Sequence, residues 1–149
     1  MNKGLYLTIA LAIFVMLSGC KNDLEQVAGE YSYKISGSAI VDSAEVRLNN
    51  ETGAMHVIDT QEDLLLTFNV LGGDVYTAKA TLDKKDIAIH TFERIIVQNG
   101  RNYKTTVSGK GNVWNENIVV EMSYKGMSTD KDSILWESKN IQLVATRNK

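Results

Sequence analysis

From Gly29 onward, apolar and polar side chains alternate with a period of two rather than 3.6. Tyr31, Tyr33 and Ile35 interleave with Ser32, Lys34 and Ser36. Leu64, Leu66, Phe68 and Val70 form one face, with Thr67 and Asn69 on the other. Tyr76, Ala78, Ala80 and Leu82 repeat the pattern, as do Ile118, Val120, Met122 and Tyr124. Such alternation marks antiparallel strands with one packed face and one wet face. Strands are expected over 30–41, 44–49, 54–59, 64–71, 75–82, 86–97, 102–113, 117–125, 134–138 and 140–146. Only 23–28 and 59–63 have the character of a helical turn.

Turn residues fall between these runs. Gly72-Gly73-Asp74 makes a tight hairpin, and Asn99-Gly100 is a hairpin pair that tolerates positive φ. Gly126–Ser133 reads as the longest polar loop. No internal repeat or linker separates the strands, so they share one core over 29–149. Short sequential hairpins favour an up-and-down meander, and a sheet of about 8–10 strands must curl or split. The expected fold is therefore all-β, an antiparallel up-and-down β-barrel, with a β-sandwich as the alternative. Closure would remove exposed strand edges. In IAIHTFERIIV the alternation slips, which predicts a bulge near His90–Glu93; Gly109 and Gly111 are expected to kink the next strand in the same way.

The first 28 residues break the pattern. Met1–Lys3 is a short basic start and Leu5–Leu17 an apolar run of about a dozen residues, shorter than the roughly 20 of a membrane-spanning helix. It fits the apolar region of a signal peptide. Leu17-Ser18-Gly19-Cys20 follows and resembles a bacterial lipobox. A thiol suits lipid attachment because its thiolate is a strong nucleophile near neutral pH. Small residues before it let a peptidase approach the backbone. The reading is a cleaved lipoprotein signal peptide over 1–19, then lipidated Cys20 and a tether over 20–28. Several acyl chains, each worth about 0.8 kcal/mol per buried CH₂, give stable anchoring. Lys21, not Asp, follows the cysteine, which reads as outer-membrane rather than inner-membrane placement in the cell envelope.

Composition narrows the picture. Cys20 is the only cysteine of the 149 residues, so no disulfide can brace the barrel. Proline is absent, leaving the turns to Gly, Asn and Asp. Net charge is −2 and the cations are dispersed, which disfavours nucleic-acid binding and a polybasic membrane patch.

AGEYSYKISGSA, LLLTFNVLGGDVYTAKATL and VSGKGNVWNENIVVEMSYKG, set behind a lipobox, resemble the small lipocalin-like or calycin-like lipoproteins of Bacteroidales. The likeness covers nearly all of the mature chain and rests on strand order and the Gly-Gly turn. It implies an antiparallel barrel, in a family whose members mostly lack an assigned activity. The Gly-x-Trp signature of true lipocalins is replaced here by Gly29-Glu30-Tyr31. Asp42-Ser43-Ala44 and Asp132-Ser133-Ile134 resemble the Asp-Ser/Thr-aliphatic O-glycosylation motif of Bacteroidetes.

Chemistry-bearing patterns are sparse. His56 and His90 sit on different strands, without the ligand set that zinc needs. No nucleophile elbow or phosphate loop appears. Glu93 and Glu137 are the nearest candidates for catalytic carboxylates and are expected to face solvent or to pair with Arg94 and Lys139. No catalytic residue, metal or cofactor is assigned, and the chain is read as a non-enzyme. The aromatic residues Tyr31, Tyr33, Tyr76, Tyr103, Trp114 and Trp136 are the candidate ligand-binding set, able to line a barrel mouth or stack on a sugar or lipid. Core packing is the competing reading for all of them, least so for Trp114, which lies at a turn. The expected function is a lipid-anchored envelope barrel that binds a small apolar ligand or a glycan. The alternative is an accessory protein working through protein contacts.

Overall fold

The computed structural model describes residues 23–130 and 135–149. The expected signal peptide and Cys20 lie outside the described residues. A short helix, α1 (Asp23–Val27), precedes nine strands: β1 (Gly29–Val41), β2 (Ala44–Arg47), β3 (Glu51–Asp59), β4 (Leu64–Val70), β5 (Val75–Asp83), β6 (Asp86–Gln98), β7 (Arg101–Trp114), β8 (Asn117–Ser128) and β9 (Leu135–Arg147). Successive antiparallel pairing runs from β3 to β9, and β1 joins β3 to β9. The result is a closed, eight-stranded, up-and-down barrel of the lipocalin-like kind, not a sandwich. β2 is an extra strand on the far half of β1.

β1 makes the closure. One of its edges pairs with β9 from Tyr31↔Arg147 to Val41↔Trp136. The other edge serves β3 over Gly29–Ile35 and β2 over Ser38–Val41. Its inward residues Tyr31, Tyr33, Ile35 and Ala39 are all buried, as the alternation requires. The barrel therefore has two ends. At one lie α1, the turns after β5 and β7, and Arg147; at the other lie the β1–β2 turn, the β4–β5 hairpin and the start of β9.

α1 closes the first end. Asp23 and Glu25 favour its N-terminal turn, and Leu24 and Val27, three apart, bury on the core. Tyr31 Oη donates to the Val27 carbonyl at 2.7 Å. The second segment expected to turn, 59–63, is not helical. Thr60 and Asp63 hydrogen-bond one another across a bend, with Gln61 at φ 75°.

Bulges bend the sheet where the patterns slip. β6 shifts register between Ile89 and Phe92 against β7, which leaves His90 and Thr91 as the irregular pair. The two strands expected at 134–138 and 140–146 are one strand. Lys139 is an extra residue relative to both neighbours, so burial passes from Trp136 to Ile141, Leu143 and Ala145 with a change of parity. Ser138 Oγ accepts from the Tyr124 amide at 3.1 Å and repairs the ladder there. Two further expectations are corrected. β8 pairs with β7 as far as Ser128, so 126–128 is strand rather than loop. Gly109 and Gly111 make no bulge, since β7 pairs with β8 in unbroken register; they permit close approach instead, and a Cβ on Gly111 would sit 1.9 Å from the Val119 carbonyl oxygen.

Gly37 is the tightest point of the closure. It lies opposite the Lys139 bulge with φ +145°, and a Cβ there would stand 1.7 Å from the Asn140 carbonyl oxygen. Gly37→Ala should destabilise the barrel by about 2–4 kcal/mol, since both the backbone conformation and the seam resist a side chain. Ser36→Ala, one residue away, should cost less than about 1 kcal/mol by the same urea unfolding measurement. Equal stabilities of the two variants would refute this account of the seam.

Candidate functional site

The interior carries two aromatic groups. Phe68 stacks on Tyr76 at 4.7 Å between centroids, Tyr76 stacks on Phe92 at 5.9 Å, and Tyr33 meets Phe68 edge-on at 5.1 Å. Across the barrel, Trp136 packs against Tyr103 and Tyr124 at 5.8 and 5.5 Å. Trp136 is fully buried, and its indole Nε1 meets no acceptor among the described residues. An eight-stranded barrel encloses space for its own side chains or for one small ligand, and these rings take up much of it here.

One polar cluster sits among them. β5 and β6 pair only over Ala80–Asp83 and Ile89–Asp86. Beyond that the β6 bulge turns its second half away from β5 and towards the β2–β3 connection. Gln98 meets that connection, donating Nε2 to the Arg47 carbonyl at 3.1 Å and accepting from the Asn49 amide at 3.3 Å. Phe92, Arg94 and Ile96 thus face inward along a slot beside Tyr76. Arg94 Nη1 donates to Glu51 Oε1 at 3.3 Å and lies 3.0 Å from Oε2 in an ion pair. Tyr76 and Tyr33 hydroxyls also donate to Glu51 Oε1, at 2.6 and 3.1 Å. The guanidinium carbon lies 3.8 Å from the centroid of the Tyr76 ring.

This arrangement holds charge rather than exposing it. The Glu51 carboxylate accepts from three side chains, and the two partners of the pair are 16% and 20% exposed. Removing one partner would strand the other in a mostly apolar interior, which is where breaking an ion pair costs most. Burial pushes the Tyr76, Tyr33 and Tyr124 hydroxyls well above the usual tyrosine range, and the Glu51 charge adds to that for each. Arg94 is displaced upward even though burial opposes its charge; the upward causes include Tyr76 and Glu51.

The aromatic residues singled out in the sequence divide accordingly. Tyr31 serves the α1 end, Tyr33 and Tyr76 join the polar cluster, Tyr103 and Trp136 form the second ring group, and Trp114 alone is exposed. They do not converge on one mouth. The carboxylates expected near Arg94 and Lys139 pair elsewhere. Glu93 meets Lys104 and Glu137 meets Lys125, both on the surface. Adjacent strand residues point to opposite faces, so Arg94 turns inward where Glu93 turns out; Lys139 bonds Glu45 across β1. His56 pairs with Glu30 and His90 is exposed in the bulge. Asp42 and Ser43 form the exposed β1–β2 turn, at φ 49° and 67°; the motif at 132–134 lies outside the described residues. Glu51 and Arg94 themselves do not stand out in the sequence as site residues, Arg94 only as an expected partner of Glu93. Their signal was parity: each is a charge at an inward position, in step with Met55 and Val57 or with Phe92 and Ile96.

No known protein family and no curated protein matches the chain. Among solved structures, it is similar to a protein of unknown function of the DUF3598 family from Nostoc punctiforme, at 10% identity and a TM-score of 0.37, over 84% of this chain and 49% of that one. The chain thus spans about half the length of that protein.

The sign of the tyrosine effect follows from the raised values. Below about pH 10 these hydroxyls are neutral whether the chain is folded or not, so stability does not depend on them. Above it the unfolded chain loses those protons and the folded one keeps them, so stability falls as pH rises. Absorbance at 295 nm should show Tyr33, Tyr76 and Tyr124 ionising only with the unfolding transition. Glu51→Ala should cost about 2–4 kcal/mol by urea unfolding, because it leaves Arg94 without its carboxylate; a loss below about 0.5 kcal/mol would mean the pair does not hold the slot.

Proposed function

We propose that the protein is a non-catalytic lipoprotein of the bacterial cell envelope, with 1–19 a cleaved signal peptide, acyl chains on Cys20 holding it to the outer membrane, and 29–149 its single domain. In this reading it works through contacts of the barrel's outer wall with another envelope protein. The observation that carries the reading is the crowded interior: aromatic rings and a paired Glu51–Arg94 stand in the space that a ligand would use. The outer wall supplies a surface instead. Ile95, Lys104, Met127 and Leu135 stand directly opposite one another across β6–β9, and Ile95, Met127 and Leu135 are 61%, 43% and 50% exposed. Val97 extends this row. It lies at the end away from α1, out of reach of the bilayer that would hold Cys20, so its fitting partner is a protein.

A second reading keeps the small ligand, apolar or glycan. It is favoured by the parting of β5 from β6, which leaves Tyr76, Phe92 and Arg94 only partly covered.

Two measurements separate the readings. Cys20→Ser should move the protein from the membrane to the soluble fraction. A photo-crosslinking residue at Met127 should capture a defined envelope protein in cells, while one at Asn69, four strands around the barrel, should not. Monomer alone from both positions, with an organic molecule retained by the native protein in mass spectrometry, would favour the ligand reading and overturn the first.

A further inference from the structure

Trp114 is a tryptophan where water should not want one. It ends β7 at the turn Asn115–Glu116 and is 61% exposed. Lys85 Nζ lies 4.2 Å from the centroid of its ring, contributed by the neighbouring β5–β6 turn. The two turns are joined: the Val113 amide donates to the Lys85 carbonyl at 2.7 Å. An exposed indole beside an ammonium combines an apolar body with a polar edge, the chemistry favoured at a membrane–water interface.

Its position gives that chemistry a partner. Asp23, Gln26, Lys84, Lys85, Val113 and Asn115 line one shallow cavity of about 260 Å³ between α1 and the two turns. Arg147 ties the same end together, donating Nη2 to the Gln26 and Ala28 carbonyls at 2.6 and 2.7 Å and its amide to the Glu116 carbonyl at 2.7 Å. Asp23 follows Cys20 by three positions. Three residues reach about 10 Å at most, so acyl chains on Cys20 would hold a bilayer against this end of the barrel.

We infer that the α1 end is a membrane-docking face, and that Trp114 enters the headgroup region of the bilayer carrying the Cys20 lipid. The inference rests on the anchoring proposed above and adds an orientation to it: the barrel stands on its α1 end, with the Ile95–Leu135 row turned away from the membrane. Charge is not the adhesive. Lys84, Lys85 and Arg147 share this end with Asp23, Glu25, Glu62, Asp63, Asp83, Asp86 and Glu116. The surface it fits is therefore zwitterionic, and docking gains nothing from anionic lipid.

The two tryptophans make a direct test. Trp136 is fully buried and reports the core; Trp114 reports the docking face. The mature protein, purified with its anchor, is reconstituted into phosphatidylcholine vesicles with plain or brominated acyl chains. The Trp114 emission is the difference between wild type and Trp114→Phe. Brominated lipid should lower that difference at least about twofold and leave the Trp136 emission unchanged. Co-flotation with vesicles but no quenching of Trp114 would overturn the docking face and leave the anchor standing. A free Cys20 thiol and no co-flotation would overturn both.

Discussion

Everything in this barrel depends on the pairing of β1 with β9. Those strands lie at opposite ends of the described chain, and their ladder runs from Tyr31 to Val41 with a single bulge. Without it the molecule would be an open, twisted sheet with two long unpaired edges, which favours association with other chains. The only cysteine lies ahead of the barrel, so no covalent staple backs up this seam. Hydrogen bonds and packing must hold it, which explains its close tolerances. Gly37 passes against the Asn140 carbonyl, Ala39 is fully buried, and Ser138 supplies the acceptor that the Lys139 bulge displaces.

Closure at eight strands has a second consequence. The circumference is small, so inward side chains from opposite walls meet and exclude solvent. Phe68, Tyr103, Tyr124 and Trp136 are buried in this way, with Tyr76 and Phe92 half-buried against them. The place where two neighbours part, β5 from the second half of β6, is where charge enters the interior. Arg94 stacks on Tyr76 and meets a carboxylate already bonded by two tyrosines. A buried ion pair is poor evidence for net stability. Its better-supported effect is to fix geometry, because Glu51 on β3 and Arg94 on β6 bridge strands that do not pair with each other. Outside the interior, apolar side chains are exposed on the outer wall and at the two ends. Trp114 marks the α1 end, and the apolar row of β6–β9 marks the other.

Period-two alternation was enough to place almost every strand, because a one-sided sheet writes its burial directly into the sequence. The His90 region was legible for the same reason: a bulge changes parity, and parity can be read. At Lys139 the same change of parity reads in the sequence as a break between two strands, although one bulged strand produces it. Pairing partners cannot be read this way. β1 and β9 are adjacent in space yet distant in sequence, and β2 finds room on β1 because β3 begins at Glu51, opposite Ile35. The candidate site was less legible still. Aromatic residues attracted notice by type, but type does not tell a core ring from a binding ring; Tyr103 and Trp136 are buried and Trp114 is exposed. Glu51 falls between the strands expected at 44–49 and 54–59, and Arg94 sits beside Glu93, the more conspicuous carboxylate in type but the outward one.

The central claim is that a long β1–β9 seam makes the barrel one closed, cooperative unit. Native-state amide hydrogen exchange tests it most directly. Amides in the ladder between Tyr33 and Leu143 should exchange only through global unfolding, with the same opening free energy as those of the β7–β8 ladder. Exchange of β1 and β9 through a separate opening, several kcal/mol below that of β7 and β8, would contradict it and leave an open sheet in place of the barrel.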